Sequence, residues 1–154
     1  MPIMSVEYKY WIPGKVPSMN ELIYAKQVTN PHQSSWLLDK KKKKATHMWN
    51  KYNEIKKAWT NRVHKIASLE LPPSPLKSVY ISYHVIENTK KRDPDNFCFS
   101  AIKFINDGLV KAGVLENDGA NNVTGLKTTW EFNSQVEPGI IVTVIDAYSH
   151  VLET

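Results

Sequence analysis

The stretch that most constrains the fold is the apolar segment formed by residues 78–87. Its side chains alternate between two faces, and both faces carry apolar residues: Val79, Ile81, Tyr83 and Val85 on one, and Tyr80, Ser82, His84 and Ile86 on the other. Strands that are apolar on both faces are typical of the interior of a sheet. The segment therefore predicts a central β-strand, in which a lone histidine such as His84 is expected to be structural.

The chain before this strand predicts one strand and one long helix. Residues 6–12 alternate apolar and polar positions, which predicts a first strand. Residues 46–69 carry apolar side chains at steps of three and four, which predicts an amphipathic helix; these side chains are Trp49, Tyr52, Ile55, Trp59, Val63 and Ile66. Ser18 is a candidate helix cap, with Glu21 three residues further on.

The chain after the central strand predicts one helix and two strands. A helix is predicted over residues 97–111, with Gly113 as its C-terminal cap. Two strands are predicted over 123–132 and 139–148, and residues 133–138 are expected to join them as a hairpin. The whole order is strand, helix, strand, helix, strand, strand. It predicts an α/β or α+β domain, with two long helices packed on a mixed sheet of about four strands.

Length and composition are those of one soluble domain spanning residues 1–154. The chain is 42% hydrophobic and 23% charged, which is ordinary for a globular protein. Its single cysteine, Cys98, excludes an internal disulfide and a cysteine-cluster metal site. No apolar run is long enough to span a bilayer, and no signal peptide is visible near Met1. We therefore expect a cytoplasmic protein with no membrane partner.

Charge is distributed unevenly along the chain. Residues 1–92 hold 17 basic and 6 acidic side chains, a net of +11, whereas residues 93–154 hold 3 and 9, a net of −6. A basic portion beside an acidic portion suits an enzyme that binds a polyanion on one surface and cations on another. The alternative is a solvated basic face that has no partner.

A basic loop is predicted over residues 25–45. It ends in five consecutive lysines, Lys40, Lys41, Lys42, Lys43 and Lys44. Loops of this length in a compact domain are usually functional or disordered. The lysines are candidate DNA-phosphate contacts, or else a solvated segment. Trp36 is a candidate for stacking on a base, or else an anchor for the loop.

Dense charge of both signs follows the central strand. Lys90, Lys91 and Arg92 run directly into Asp93 and Asp95. Side chains at i and i+2 of an extended segment point the same way, and Pro94 keeps Asp93 out of the helical region. Two such carboxylates repel each other unless a cation lies between them. Hard oxygen ligands favour Mg²⁺ or Mn²⁺ over zinc.

A third acid, Asp118, lies in the turn beyond the predicted helix and is a candidate direct or water-mediated ligand. The structural alternative is that Asp-Pro-Asp-Asn is turn and cap chemistry, with Asn96 as the helix N-cap. Paired aspartates also occur in haloacid-dehalogenase-type phosphatases and nucleotide-sugar transferases. The first class needs a long apolar strand directly before the aspartate, and the second usually needs a longer chain.

A series of short motifs follows in a fixed order: Asp93-x-Asp95-Asn96, Lys103, Asp107-Gly108-Leu109, Lys111-Ala112-Gly113-Val114 and Asn117-Asp118. In this combination the sequence resembles the RusA-type Holliday junction resolvases, which are small, Mg²⁺-dependent, dimeric endonucleases common in phages and prophages. The order of elements also matches. The segment Pro17-Ser18-Met19-Asn20 resembles a further motif of the family. The resemblance is strongest over residues 90–126 and weak over 25–75.

The resemblance implies that Asp93, Asp95 and Asp118 are catalytic, metal-binding carboxylates, and that Lys103 is the catalytic lysine. Lys103 follows Asp95 by eight residues, whereas the best-known bacterial member has four. Four extra residues amount to about one helical turn. Either the helix begins later, or the lysine lies deeper along it.

We therefore expect a homodimeric endodeoxyribonuclease that resolves four-way DNA in recombination and repair, using Mg²⁺, with Mn²⁺ as a substitute. Lys90, Lys91 and Arg92 are expected to hold nearby backbone phosphates. One rival is a less selective nuclease of flaps or branched DNA. Another is a non-catalytic phage DNA-binding or assembly protein.

Overall fold

The computed structural model describes residues 6–22 and 35–147, and over 35–50 it describes the backbone alone. Its helices and strands, in chain order, are β1 (Glu7–Pro13), α1 (Ser35–Ala67), β2 (Val79–Glu87), α2 (Pro94–Phe97), α3 (Ile102–Ala112), β3 (Val123–Phe132) and β4 (Gly139–Asp146). A mixed four-stranded sheet with helices confirms the predicted fold class. Among these residues, no helix combines the length and apolar character needed to span a membrane.

The strands lie in the order β1-β4-β2-β3, with β2 in the interior of the sheet as predicted. β4 is antiparallel to both β1 and β2, and β3 is parallel to β2. The predicted hairpin between β3 and β4 is therefore wrong, because β2 lies between them. Residues 133–138 instead cross the end of β2, where the Asn133 N–H donates to the Glu87 carbonyl at 2.8 Å.

One face of the sheet packs against α1 and α3 to form the core. Fully buried side chains of β2 and β4 alternate along each strand, as a pleated strand requires. The two helices approach closely at Gly108, where an added Cβ would lie 2.6 Å from the Val63 Cβ. Trp59 and Val63 are buried, which confirms the predicted apolar stripe at that part of α1.

The predicted loop over residues 25–45 is wrong from residue 35 onward, because α1 begins at Ser35. The backbone is therefore helical at Lys40, Lys41, Lys42, Lys43 and Lys44. Leucine, lysine and alanine are good helix formers, and residues 35–67 contain neither glycine nor proline. The rest of that predicted loop, residues 25–34, lies outside the described residues, as does the side chain of Trp36.

The predicted helix over residues 97–111 is interrupted. α2 ends at Phe97, residues 98–101 form a turn, and α3 begins at Ile102. Hydrogen bonds from side chains hold this turn: Thr128 Oγ1 donates to the Cys98 carbonyl at 2.9 Å, and Ser100 Oγ donates to the Phe97 carbonyl at 3.2 Å. Gly113 caps α3 at a φ of 90°, as predicted.

Candidate catalytic and metal-binding site

The two aspartates of the motif lie where the chain leaves β2 and enters α2. Asp93 is the N-cap of α2 with φ −78° and ψ 142°, and Pro94 follows in the first turn. Asp93 is therefore extended, as predicted. Asp95 instead lies within the first turn of α2, so the period of two expected for an extended segment does not relate the two side chains. Both are exposed to solvent.

The capping alternative does not account for these acids. Asn96 lies inside α2, so it is not the N-cap. Asp93 holds that position, but its side chain makes no capping hydrogen bond. Among the residues that the structure describes, neither the Asp93 nor the Asp95 carboxylate has a hydrogen bond or an ion pair. Two exposed carboxylates without a partner are a donor set whose chemistry fits a hard divalent cation.

Lys103 and Asp118 are brought together by the fold. Lys103 lies in the first turn of α3, and its Nζ is 3.1 Å from Asp118 Oδ2 and 3.0 Å from Asp107 Oδ1. Hydrogen bonds to Asp107 and then Asp118 raise the pKa of the Lys103 ammonium above its ordinary value. Of the two explanations for the longer spacing after Asp95, the structure shows that the helix begins later. Residues 98–101 are the intervening turn.

Asp118 is positioned by a short turn that follows α3. The Glu116 N–H donates to the Leu76 carbonyl at 2.9 Å, which fixes the start of this turn beside the core. The Asn117 side-chain oxygen accepts the Asp118 N–H at 2.8 Å. Asn117 therefore orients the backbone of Asp118. Asp118 itself is half-buried.

A buried hydrogen bond that the sequence did not predict lies under the site. The Tyr83 hydroxyl of β2 donates to the Asn106 side chain of α3 inside the core. Burial raises the pKa of Tyr83 most, the hydrogen bond to Asn106 lowers it, and the charge of Asp118 raises it further. Asn106 is a polar residue on the apolar stripe of α3, and this was the signal in the sequence. Its hydrogen bond to Tyr83 joins α3 to β2.

The three acids do not form a closed cluster. No hydrogen bond or ion pair between described residues joins Asp93 or Asp95 to Lys103 or Asp118. Within residues 6–22 and 51–147, no group of three or more His, Cys, Asp or Glu side chains is arranged as metal ligands. The assignment of all three acids to one cation therefore stays a prediction.

The basic residues of the motif have different environments. Lys90 and Lys91 are exposed, and Lys90 Nζ lies 5.0 Å from the centre of the Phe132 ring. Arg92 is directed inward, where its guanidinium forms an ion pair with Glu87 and its Nη1 donates to the Val16 carbonyl at 2.6 Å. Lys90 and Lys91, and not Arg92, are thus the cations of this stretch that face solvent.

Glu87 is the last residue of β2, and the sequence predicted no further role for it. Its side chain is 2% exposed, and its Oε2 has no hydrogen-bond partner among the described residues. Through Arg92, it connects the end of β2 to the segment that carries Asp93 and Asp95. An acid ending an apolar strand, with an arginine five residues later, was the signal for this pair.

Comparison of the chain with protein-family models, with curated proteins and with solved structures gives no match. The resemblance to RusA-type resolvases therefore depends on the motif residues of the chain itself.

Proposed function

We propose that this protein is a Mg²⁺-dependent endodeoxyribonuclease that resolves four-way DNA junctions. The observation that carries the proposal is the pairing of Lys103 with Asp118 at 3.1 Å. Asp93 and Asp95, the other two acids of the motif, are exposed and have no partner among the described residues. In the sequence, only the order of the motifs had assigned Lys103 and the three aspartates to one site. A packing role does not explain why Asp93 and Asp95 are exposed without a partner, or why two carboxylates hold Lys103.

Asp93, Asp95 and Asp118 would hold the cation, with Mn²⁺ as a substitute for Mg²⁺. A bound divalent ion lowers the pKa of a coordinated water and neutralises charge on the phosphate. Lys103 places a positive charge beside Asp118, where it stabilises the charge that develops on the scissile phosphate. Asp107 keeps Lys103 in place from the other side, so that the ammonium stays positioned when Asp118 serves as a ligand.

Binding to the DNA backbone is assigned to two groups of lysines. Lys90 and Lys91 are exposed directly before the acids. The residues from Lys40 to Lys44 lie on consecutive positions of α1, where a rise of about 1.5 Å per residue gathers five charges within roughly 6 Å of helix. Such a concentration of charge favours phosphate binding that weakens steeply with salt.

The substitution Asp95→Asn tests this proposal. We expect the variant to bind a four-way junction in Ca²⁺ with the parent affinity and to lose nicking in Mg²⁺ by at least about a hundredfold. Glu137→Gln, an exposed acid in the loop before β4, is the matched control and should cleave like the parent. Cleavage by Asp95→Asn at the parent rate would refute the site assignment.

A second candidate is a non-catalytic DNA-binding protein. The open arrangement of the acids among the described residues favours it. Titration calorimetry with Mn²⁺ separates the two, because the nuclease must take up the ion and the binding protein need not. Comparison of a four-way junction, a flap and a linear duplex as substrates separates a junction resolvase from a less selective nuclease.

A further inference from the structure

One face of β3 carries a row of large apolar side chains that are exposed to solvent. Leu126, Trp130 and Phe132 share this face, because alternate residues of a strand point the same way, and they are 44%, 45% and 39% exposed. We call these three residues the β3 surface. Thr128 lies on the same face and donates from Oγ1 to the Cys98 carbonyl at 2.9 Å. The β3 surface is therefore on the helical side of the sheet, where exposed apolar groups in a row indicate a binding surface.

Two contacts connect the β3 surface to the segment that carries the candidate metal ligands. The Trp130 ring packs edge-to-face on Phe97 of α2, with 5.8 Å between ring centres. Lys90 Nζ lies 5.0 Å from the centre of the Phe132 ring. In the chain, Lys90 precedes Asp93 and Phe97 follows Asp95. The β3 surface thus contacts residues on both sides of the two acids.

The charges near the β3 surface favour a polyanion. Lys90 and Lys91 are both exposed. The acid of β3, Glu131, lies on the opposite face, where its Oε1 is 3.1 Å from His84 Nε2. Proteins bind single-stranded nucleic acids by combining aromatic rings, on which bases stack, with cations that hold the backbone. Trp130 and Lys90 supply both groups beside the candidate site.

Stacking on a side chain is open only to a base that has a free face. In duplex DNA, neighbouring bases cover both faces of each base, so a ring such as that of Trp130 can stack only on an unpaired or terminal base. β3 also forms one edge of the sheet, and in the described part of the chain it pairs only with β2. Its outer edge presents unpaired backbone N–H and C=O groups. Such groups offer hydrogen bonds to the edge of a stacked base.

We propose that Trp130 stacks on an unpaired base of the DNA substrate, while Lys90 binds a phosphate of the same strand. The inference rests on the proposed function for the identity of the substrate. It adds the contact by which the protein selects branched DNA over linear duplex. Because Trp130 packs on Phe97, a base held there lies next to the segment that carries Asp93 and Asp95.

Binding of single-stranded DNA by the full chain in Ca²⁺ tests the stacking contact. Fluorescence anisotropy of a labelled oligothymidine of about twelve nucleotides measures the affinity. We expect Trp130→Ala to weaken binding about tenfold, and Trp130→Phe, which keeps a ring, to stay within about threefold of the parent. Trp11→Ala is the matched control, because Trp11 is 42% exposed on the opposite face of the sheet. It should bind like the parent.

Tryptophan fluorescence tests stacking itself. The oligothymidine should quench the emission of the parent, and Trp130→Phe should lose most of this quenching while it keeps its affinity. The other four tryptophans are common to both proteins. Since Trp130→Phe retains a ring against Phe97, the measurement does not depend on the stability of Trp130→Ala. Quenching that is unchanged in Trp130→Phe would overturn the proposal.

Comparison of DNA forms tests the selection of unpaired bases. Trp130→Ala should weaken binding of a flap, which has an unpaired strand, about as much as binding of the oligothymidine. It should weaken binding of a linear duplex less than twofold, and an equal loss for both forms would overturn the selection. Lys90→Gln should weaken binding of every form and lower the salt slope by about one. Lys57→Gln, at an exposed lysine of α1, should change neither.

Other occupants of the β3 surface give different results. If Trp130→Ala bound the oligothymidine like the parent but changed the sedimentation of the protein, the surface would belong to a protein contact and the proposal would be overturned. Tighter binding of an oligouridine RNA than of the DNA strand would also overturn it. Failure of the nuclease proposal has its own pattern, in which strand binding and its dependence on Trp130 persist but Mg²⁺ produces no junction cleavage.

Discussion

The ammonium of Lys103 lies 3.1 Å from the carboxylate of Asp118, although the two residues are fifteen positions apart. α3 supplies the lysine from its first turn, and the turn after the helix returns the acid to the same place. The pairing is therefore a product of the fold, and it gives the candidate site a fixed positive charge.

Replacing this lysine tests its role in the reaction. We expect Lys103→Met to lower kcat for junction cleavage by about a hundredfold to a thousandfold, with KM changed little, because the charge acts on the transition state. Lys111→Met, on the same helix and bonded to Asn61 at 3.0 Å, is the control. Steady-state cleavage of a labelled junction measures both. A variant that retains most of the parent kcat would remove Lys103 from the mechanism.

Breaking the buried pair of Glu87 and Arg92 should destabilise the fold. Arg92→Met leaves a carboxylate buried without its cation, and we expect a loss of about 3–5 kcal/mol in the free energy of unfolding. The double variant Glu87→Leu/Arg92→Met should lose less than the sum of the single changes. Urea unfolding is the measurement. Lys91→Met, at the neighbouring exposed residue, is the control. If it lowered the free energy of unfolding as much as Arg92→Met does, the buried ion pair would not be the cause of the loss.

The close approach of α1 and α3 makes Gly108 sensitive to size. Gly108→Ala places a Cβ 2.6 Å from Val63 and should cost about 1–3 kcal/mol of stability. Gly119→Ala adds a Cβ with no atom within 4 Å, so it should change stability by less than about 0.5 kcal/mol. Thermal unfolding of the two variants decides the matter. Equal midpoints would mean that the helices do not meet as described.

Tyr10 should give the fold an alkaline limit. Burial, with the charges of Glu70 and Tyr8, raises the pKa of Tyr10 from 10.0 to about 12. Because the folded state keeps this proton longer than the unfolded state, the stabilisation is fully present below pH 10 and is lost as pH rises from 10 to 12. The variant Tyr10→Phe removes this ionisable hydroxyl, together with the hydrogen bond that it donates to the Glu70 carbonyl at 2.8 Å.

We expect the free energy of unfolding of the parent to exceed that of Tyr10→Phe by about 1 kcal/mol at pH 7, and this difference to shrink above pH 10. Denaturant unfolding at a series of pH values measures it. The comparison cancels the contribution of Tyr83, whose pKa is also raised. A difference that is constant up to pH 11.5 would show that Tyr10 ionises as in the unfolded chain.

Local pattern was enough to place most elements of the fold. The alternation that predicted a central strand over 78–87 matches β2, and the strand predicted over 123–132 has the bounds of β3. Glycine 113 ends α3 as its chemistry requires. In each of these cases, the deciding interactions lie within a few residues of one another along the chain.

The errors arose where distant parts of the chain decide the structure. Proximity in sequence suggested a hairpin of β3 with β4, but the buried alternation of β4 suits a strand with neighbours on both sides. The break at residues 98–101 depends on a hydrogen bond from Thr128, thirty positions away. For the same reason, the inward direction of Arg92 was not evident, because its partners include Val16.

The interior position of β4 has a consequence for how this chain folds. Among the described strands, β1 pairs with β4 alone, and β4 separates it from β2. During synthesis, the sheet therefore cannot form completely until β4 has been made, because β4 must insert between β1 and β2. A nascent chain that stops before Gly139 holds three strands but lacks the one that unites them, so acquisition of the native state is a late event.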